Sequence, residues 1–184
     1  HSIVVYQAYR PEIADVAVQA GRFVAPFELH RMTWIKPSFL WMMERCGWAS
    51  KPGQERTLAI RISRVGWEEA LGLAALTTFE PQVAGDYDAW RHALDTAPVR
   101  VQWDPERNLH GQPQEQRAIQ VGLSRQVVPR YVNEWTLAIE DITPLVRSLR
   151  HLIGSGRATE AMRRLPRERP YPVSEALARR LGMD

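Results

Sequence analysis

The chain has 184 residues, 45% apolar and 24% charged, with a formal net charge of +3 from 24 basic and 21 acidic side chains. That size and balance suit one globular domain with a buried core, and no run approaches the ~20 apolar residues needed to span a bilayer, so no membrane partner is expected. The single cysteine, Cys46, rules out a disulfide framework within the chain, and the first residues lack a signal-peptide pattern; a reducing, cytoplasmic setting is the expectation.

Residues 3–9 read as a strand, rich in β-branched and aromatic side chains. Pro11 opens a helix with Ile13, Val16, Ala17 and Ala20 on one face and Gly21 at its end. A less regular stretch, 22–32, follows. Pro37 suits the first position of the next helix, and Gly47 the position after its end. Five consecutive large apolar residues, Phe39 to Met43, cover every direction around that helix. Such a helix belongs deep in a fold, with one side free to wall a pocket. A polar loop over 49–56 leads to an alternating strand over 57–63. Residues 67–76 and 87–94 read as helices. Residues 99–103 and 117–123 read as strands, with a long polar loop over 104–115 between them. Ser124 suits the cap of a helix running to Val132. Thr143 and Pro144 open a helix closed by Gly154, and two shorter helices over 159–165 and 174–181 are set off by Pro166, Pro170 and Pro172. Strands scattered among helices indicate an α+β fold: a compact mixed sheet with flanking helices, in a single domain over 1–184 whose last part, 144–184, is helical and arginine-rich.

Residues 144–184 hold nine arginines against four acids, a net of +5, which leaves the rest of the chain at −2. A basic segment of this kind attracts phosphates, or simply solvates a helical surface. Only two of the 24 basic residues are lysines, Lys36 and Lys51, and both flank the short apolar helix. The histidines (His1, His30, His92, His110 and His151) show no three- or four-residue spacing, and the lone cysteine has no partner, so no metal is expected. Neither G-x-G-x-x-G, nor G-x-x-x-x-G-K-[ST], nor G-x-S-x-G is present.

The most unusual chemistry lies between Arg31 and Ile62, in an aromatic–basic segment followed by Lys51. Trp34, Trp41 and Trp48 recur there at spacing seven, interleaved with Thr33, Lys36, Ser38 and Arg45. Rings of this kind stack on a flat heterocycle while nearby cations neutralise its phosphates. The same tryptophans also suit a core from which Lys36 and Arg45 reach out.

The run Met-Thr-Trp-Ile-Lys-Pro-Ser-Phe-Leu-Trp-Met-Met at 32–43, with Gly-Gln-Glu-Arg-Thr-Leu-Ala-Ile-Arg-Ile at 53–62, closely resembles the family known as domain of unknown function 4291. Val-Gln-Trp-Asp-Pro-Glu-Arg at 101–107, Arg-Ala-Ile-Gln-Val-Gly-Leu at 117–123 and Asp141-Ile142-Thr143 extend the resemblance over nearly the whole chain. That family name confers no activity. More remotely, Tyr6-Gln7-Ala8-Tyr9-Arg10, followed by a helix ending at Gly21, is similar to the opening of ADP-ribosyltransferase folds. This second resemblance implies NAD as a substrate. Arg10 would hold its diphosphate or ribose, Trp34 and Trp41 would stack on a ring, and Lys36 and Arg45 would offset phosphate charge, with Thr33 and Ser38 beside them. Glu115 would assist ribosyl transfer. Gln114-Glu115-Gln116-Arg117 replaces the usual Glu-x-Glu of those folds, and Gln120 is the other candidate on that strand. The expectation is an ADP-ribosyltransferase-like enzyme acting on a nucleic acid or nucleotide. The alternatives are a non-catalytic nucleic-acid-binding module, using the aromatic–basic segment and the arginine-rich C-terminus, and a protein-interaction domain.

Overall fold

The computed structural model describes residues 1–183; Asp184, one of the four acids of the basic segment, lies outside them. The strands form two sheets. In the first, β1 (Ser2–Tyr9), β3 (Arg56–Ser63) and β7 (Thr136–Asp141) lie antiparallel in the order β1-β3-β7. In the second, β2 (Thr33–Ile35), β6 (Pro113–Leu123), β5 (Val99–Arg107) and β4 (Ala74–Leu76) run in the order β2-β6-β5-β4, with only the β4–β5 pair parallel. The helices are α1 (Pro11–Ala20), α2 (Phe39–Cys46), α3 (Arg64–Gly72), α4 (Pro81–Ala84), α5 (Tyr87–Thr96), α6 (Val128–Arg130), α7 (Thr143–Gly154), α8 (Ala158–Arg164) and α9 (Glu175–Arg180). The fold is α+β. No described helix is long and apolar enough to cross a membrane.

The period-two pattern of β3 gives the first sheet a core on each face. Leu58, Ile60 and Ile62 join Val5, Ile35, Val101, Val121 and Tyr131 in one core. Ala59, on the opposite face, packs against a second core built from Phe39, Met42, Met43 and Cys46 of α2 with Val146, Leu149 and Leu152 of α7. The all-round apolar sequence of α2 is thus matched by deep burial; Glu44 and Arg45 are its exposed residues. Ser38, not Pro37, starts this helix, because its hydroxyl accepts the Trp41 amide at 3.2 Å, a service proline cannot perform. Gly47 ends it in the left-handed conformation (φ 60°), and Lys51 Nζ donates to the carbonyls of Glu44 (3.3 Å) and Arg45 (2.8 Å).

Several boundaries differ from the sequence reading. The helix expected over 67–76 begins at Arg64, capped by Ser63, and stops at Gly72, because Ala74–Leu76 pairs with β5 as a strand. The loop expected over 104–115 is mostly a hairpin: β5 continues to Arg107 and β6 starts at Pro113. The helix expected after Ser124 is the short α6, which passes into a π-helical turn, Tyr131–Trp135. Thr143 does not cap α7. Its hydroxyl accepts the Thr57 amide at 2.9 Å, and Asp141 accepts the Thr143 amide at 2.9 Å instead.

Candidate functional site

The Tyr6 amide donates to the Lys36 carbonyl at 2.7 Å. This bridge ties the first sheet to the residue just after β2, and fixes the Lys36-Pro37-Ser38 turn where the two sheets meet. A buried polar network supports it. Gln7 Nε2 lies 2.7 Å from Thr33 Oγ1, 2.9 Å from Tyr9 Oη and 3.1 Å from the Trp34 carbonyl. Its Oε1 accepts from Tyr131 Oη at 2.7 Å. Burial pushes the Tyr9 hydroxyl up to about 12 and that of Tyr131 well above its ordinary value, so both stay protonated.

Lys36 is only 6% exposed. Its ammonium donates to the Trp34 carbonyl at 3.2 Å and lies 5.6 Å from the centre of the Trp41 ring, a cation–π geometry. Among the described residues the ion pairs are all formed by arginines, none by Lys36. Burial, then repulsion from Arg45, pushes its pKa down to about 8, against the pull of Cys46 and Asp104. Asp104 is held by two amides: Gln102 Nε2 donates to Oδ1 at 3.0 Å and Gln120 Nε2 to Oδ2 at 2.9 Å.

Two more carboxylates gather at the start of α2. Ser38 Oγ donates to Glu106 Oε1 at 2.8 Å, which also accepts the Arg107 amide at 2.8 Å. Glu168 Oε1 accepts the Phe39 amide at 2.6 Å. Burial raises the Glu168 pKa, the Phe39 amide opposes that rise, and Glu106 adds to it. Burial, with Glu168 second, also raises the Tyr6 hydroxyl.

The arrangement offers an ammonium in no ion pair among the described residues, an aromatic face, a capped helix start and three carboxylates. A model of the family described as domain of unknown function (DUF4291) matches residues 1–171. The chain belongs to that family. The DUF4291 match takes in both sheets, α2, and the chain through Tyr171, so every residue of the Lys36 cluster lies inside it. No curated protein and no solved structure matches the chain.

Of the residues singled out in the sequence, this DUF4291 domain brings together Thr33, Trp34, Lys36, Ser38, Trp41 and Gln120. Arg45 is exposed one turn beyond Trp41, close enough to repel Lys36. Arg10 follows Tyr9 at the start of α1, is exposed, and its guanidinium is 4.0 Å from Glu12. Glu115 is exposed on β6, on the stretch of the hairpin that faces Glu106: Pro105 pairs with Arg117 and Arg107 with Pro113. Trp48 is partly buried and meets Phe39 edge-on at 6.1 Å, as part of the α2 core.

Asp104, Glu106 and Glu168 were not foreseen. The first two had a signal, since Gln102, Asp104 and Glu106 continue the alternation set by Val99 and Val101. Glu168 had none. It arrives from 129 residues away in sequence.

The Trp34 indole lies across Gly122, its partner on β6. A Cβ at Gly122 would come within 2.9 Å of the ring. Gly122→Ala is therefore expected to move the indole and cost about 1–3 kcal/mol. A lowered denaturation midpoint with altered tryptophan emission checks this; an unchanged midpoint and spectrum contradict it.

Proposed function

We propose that this DUF4291 domain binds a nucleotide at the Lys36 site and acts as an ADP-ribosyltransferase-like enzyme, with NAD as donor and a nucleic acid or nucleotide as acceptor. One observation carries the reading: a buried ammonium over an indole face, in no ion pair, with Asp104 near enough to act on it and Glu106 held by the neighbouring Ser38. An unpaired buried charge is costly to keep and marks a functional-site candidate. The ammonium suits a diphosphate, and the indole suits a heterocycle. In ribosyl transfer the bond from ribose to nicotinamide breaks with its electron pair leaving on nicotinamide. Positive charge then builds on the sugar until the acceptor attacks, and a nearby carboxylate stabilises it. Glu106, fixed by Ser38 and the Arg107 amide, is the group we assign to that role, with Glu115 on the facing stretch of β6 as the other candidate. A cytoplasmic setting suits a chain whose one cysteine is free and buried.

A second reading has its own support. Arg147, Arg150 and His151 stand exposed on one stretch of α7 and line a shallow depression with Gly154 and Ser155. That face suits a phosphate backbone, as the acceptor of the first reading or as the whole function of a binding module. Labelled NAD incubated with RNA, DNA and protein separates the two. Labelled product supports transfer. Salt-sensitive RNA or DNA binding without NAD cleavage supports the binding module and sinks the transferase.

A further inference from the structure

Residues 165–173 run from α8 to α9 without helix or strand and carry Pro166, Pro170 and Pro172. The segment is anchored at both ends. Upstream, Ala161 of α8 is fully buried in the α7 core. Downstream, Tyr171 Oη donates to Glu68 at 2.8 Å, the Arg64 guanidinium sits 5.0 Å from the Tyr171 ring centre, and Arg64 donates to the Pro172 carbonyl at 3.3 Å. Between these anchors Arg167, Glu168 and Arg169 are exposed as residues, yet the Glu168 carboxylate turns inward onto the Phe39 amide. It arrives beside Glu106, which Ser38 already holds.

One charge-assisted hydrogen bond thus works against a like-charge neighbour and partial desolvation. Two firm anchors and a weakly held middle are the makings of a hinged cover. The middle crosses the Ser38–Glu106 corner of the cluster whose other end is the buried Lys36 ammonium. We propose that residues 165–173 form a strap that closes the Lys36 site, latched by Glu168 on the first amide of α2. Any ligand group that takes the Phe39 amide displaces the latch. The inference concerns access to the site and does not depend on NAD being the ligand.

The chain has two lysines, so amine labelling reads the gate directly. Lys51 is exposed and serves as the internal control. Reductive methylation of the native protein, followed by mass spectrometry, should modify Lys51 quickly and Lys36 slowly. Glu168→Ala should raise the Lys36 rate relative to Lys51 at least tenfold while the melting temperature holds. Glu168→Gln keeps an acceptor for the amide and should restore slow labelling. Trypsin cleavage after Arg167 should accelerate in Glu168→Ala alone; the Arg169–Pro170 bond resists trypsin in every variant. Equal Lys36 rates in wild type and Glu168→Ala overturn the proposal. So does faster cleavage of the strap with no change at Lys36, because the strap then moves without uncovering the site. Faster Lys36 labelling that tracks a fallen melting temperature also overturns it, since unfolding rather than the strap then exposes the amine.

Discussion

Lys36→Met is expected to make the protein more stable at pH 7 by about 2 kcal/mol while abolishing its response to NAD. The amine is 6% exposed, its pKa is pushed down to about 8, and its one protein hydrogen bond goes to the Trp34 carbonyl. A fall from 10.5 to about 8 corresponds to roughly 3 kcal/mol of disfavour for the charged form. Methionine fills a similar volume without that penalty, and the lost hydrogen bond and cation–π contact offset part of the gain. The sign follows from proton linkage. Below about pH 8 the lysine is charged in both the folded and the unfolded chain, so the full cost stands. Between about 8 and 10.5 only the unfolded chain holds the proton, so wild-type stability rises with pH relative to the variant. Above 10.5 both states are neutral and the difference closes. Denaturant unfolding of both proteins from pH 7 to 11 checks this. A variant less stable than wild type at pH 7, or a difference flat with pH, contradicts a buried ammonium.

Gln7→Leu is expected to cost about 3 kcal/mol, the largest loss from any change to the polar network. Gln7 is 3% exposed, donates toward Thr33, Tyr9 and the Trp34 carbonyl, and accepts from the buried Tyr131 hydroxyl. Leucine keeps the volume but strands that hydroxyl and frees the link between β1 and β2, on which the Lys36 turn depends. Tyr131→Phe alone should cost about 1–2 kcal/mol. The double variant should cost at least 1 kcal/mol less than the two single losses together, because removing both partners leaves fewer buried groups unpaired. Additive losses, or a Gln7→Leu cost below about 1 kcal/mol, contradict a coupled network.

Local signals in the sequence carried over well. α2 could be read from Pro37, Gly47 and the apolar run between them, although Ser38 is the residue that caps it, and its depth followed from having no polar face. Strands that exist through their partners were harder. β4 is an Ala-Ala-Leu triplet that reads as the tail of α3 until β5 lies beside it, and β7 gains its place from β3. The end of β5 was hidden because Asp104, Pro105 and Glu106 are poor strand formers whose alternation is the one local signal, and β6 holds them in register.

The site divides in the same way. Thr33, Trp34, Lys36, Ser38 and Trp41 are neighbours in sequence and remain neighbours in space. Whether Lys36 pointed out or in was not legible, because a lysine after a strand does either. The bridge from the Tyr6 amide to the Lys36 carbonyl decides it by turning that residue into the sheet junction. The carboxylates came from β5 and from the far end of the chain, where only the tertiary fold brings them near. Glu115 follows from a family resemblance at one strand, and the β5–β6 hairpin sets it, exposed, on the stretch facing Glu106.

The most direct test is a thermal-shift titration of wild type and Lys36→Met with NAD and ADP-ribose. At 100 times the dissociation constant, a ligand bound only by the folded state adds about 2.7 kcal/mol, or roughly 5–10 °C for a chain of this size. The account predicts that shift for wild type and none for Lys36→Met, which should nevertheless start from a higher melting temperature. No shift in wild type, or an equal shift in both proteins, would contradict a nucleotide site built around Lys36.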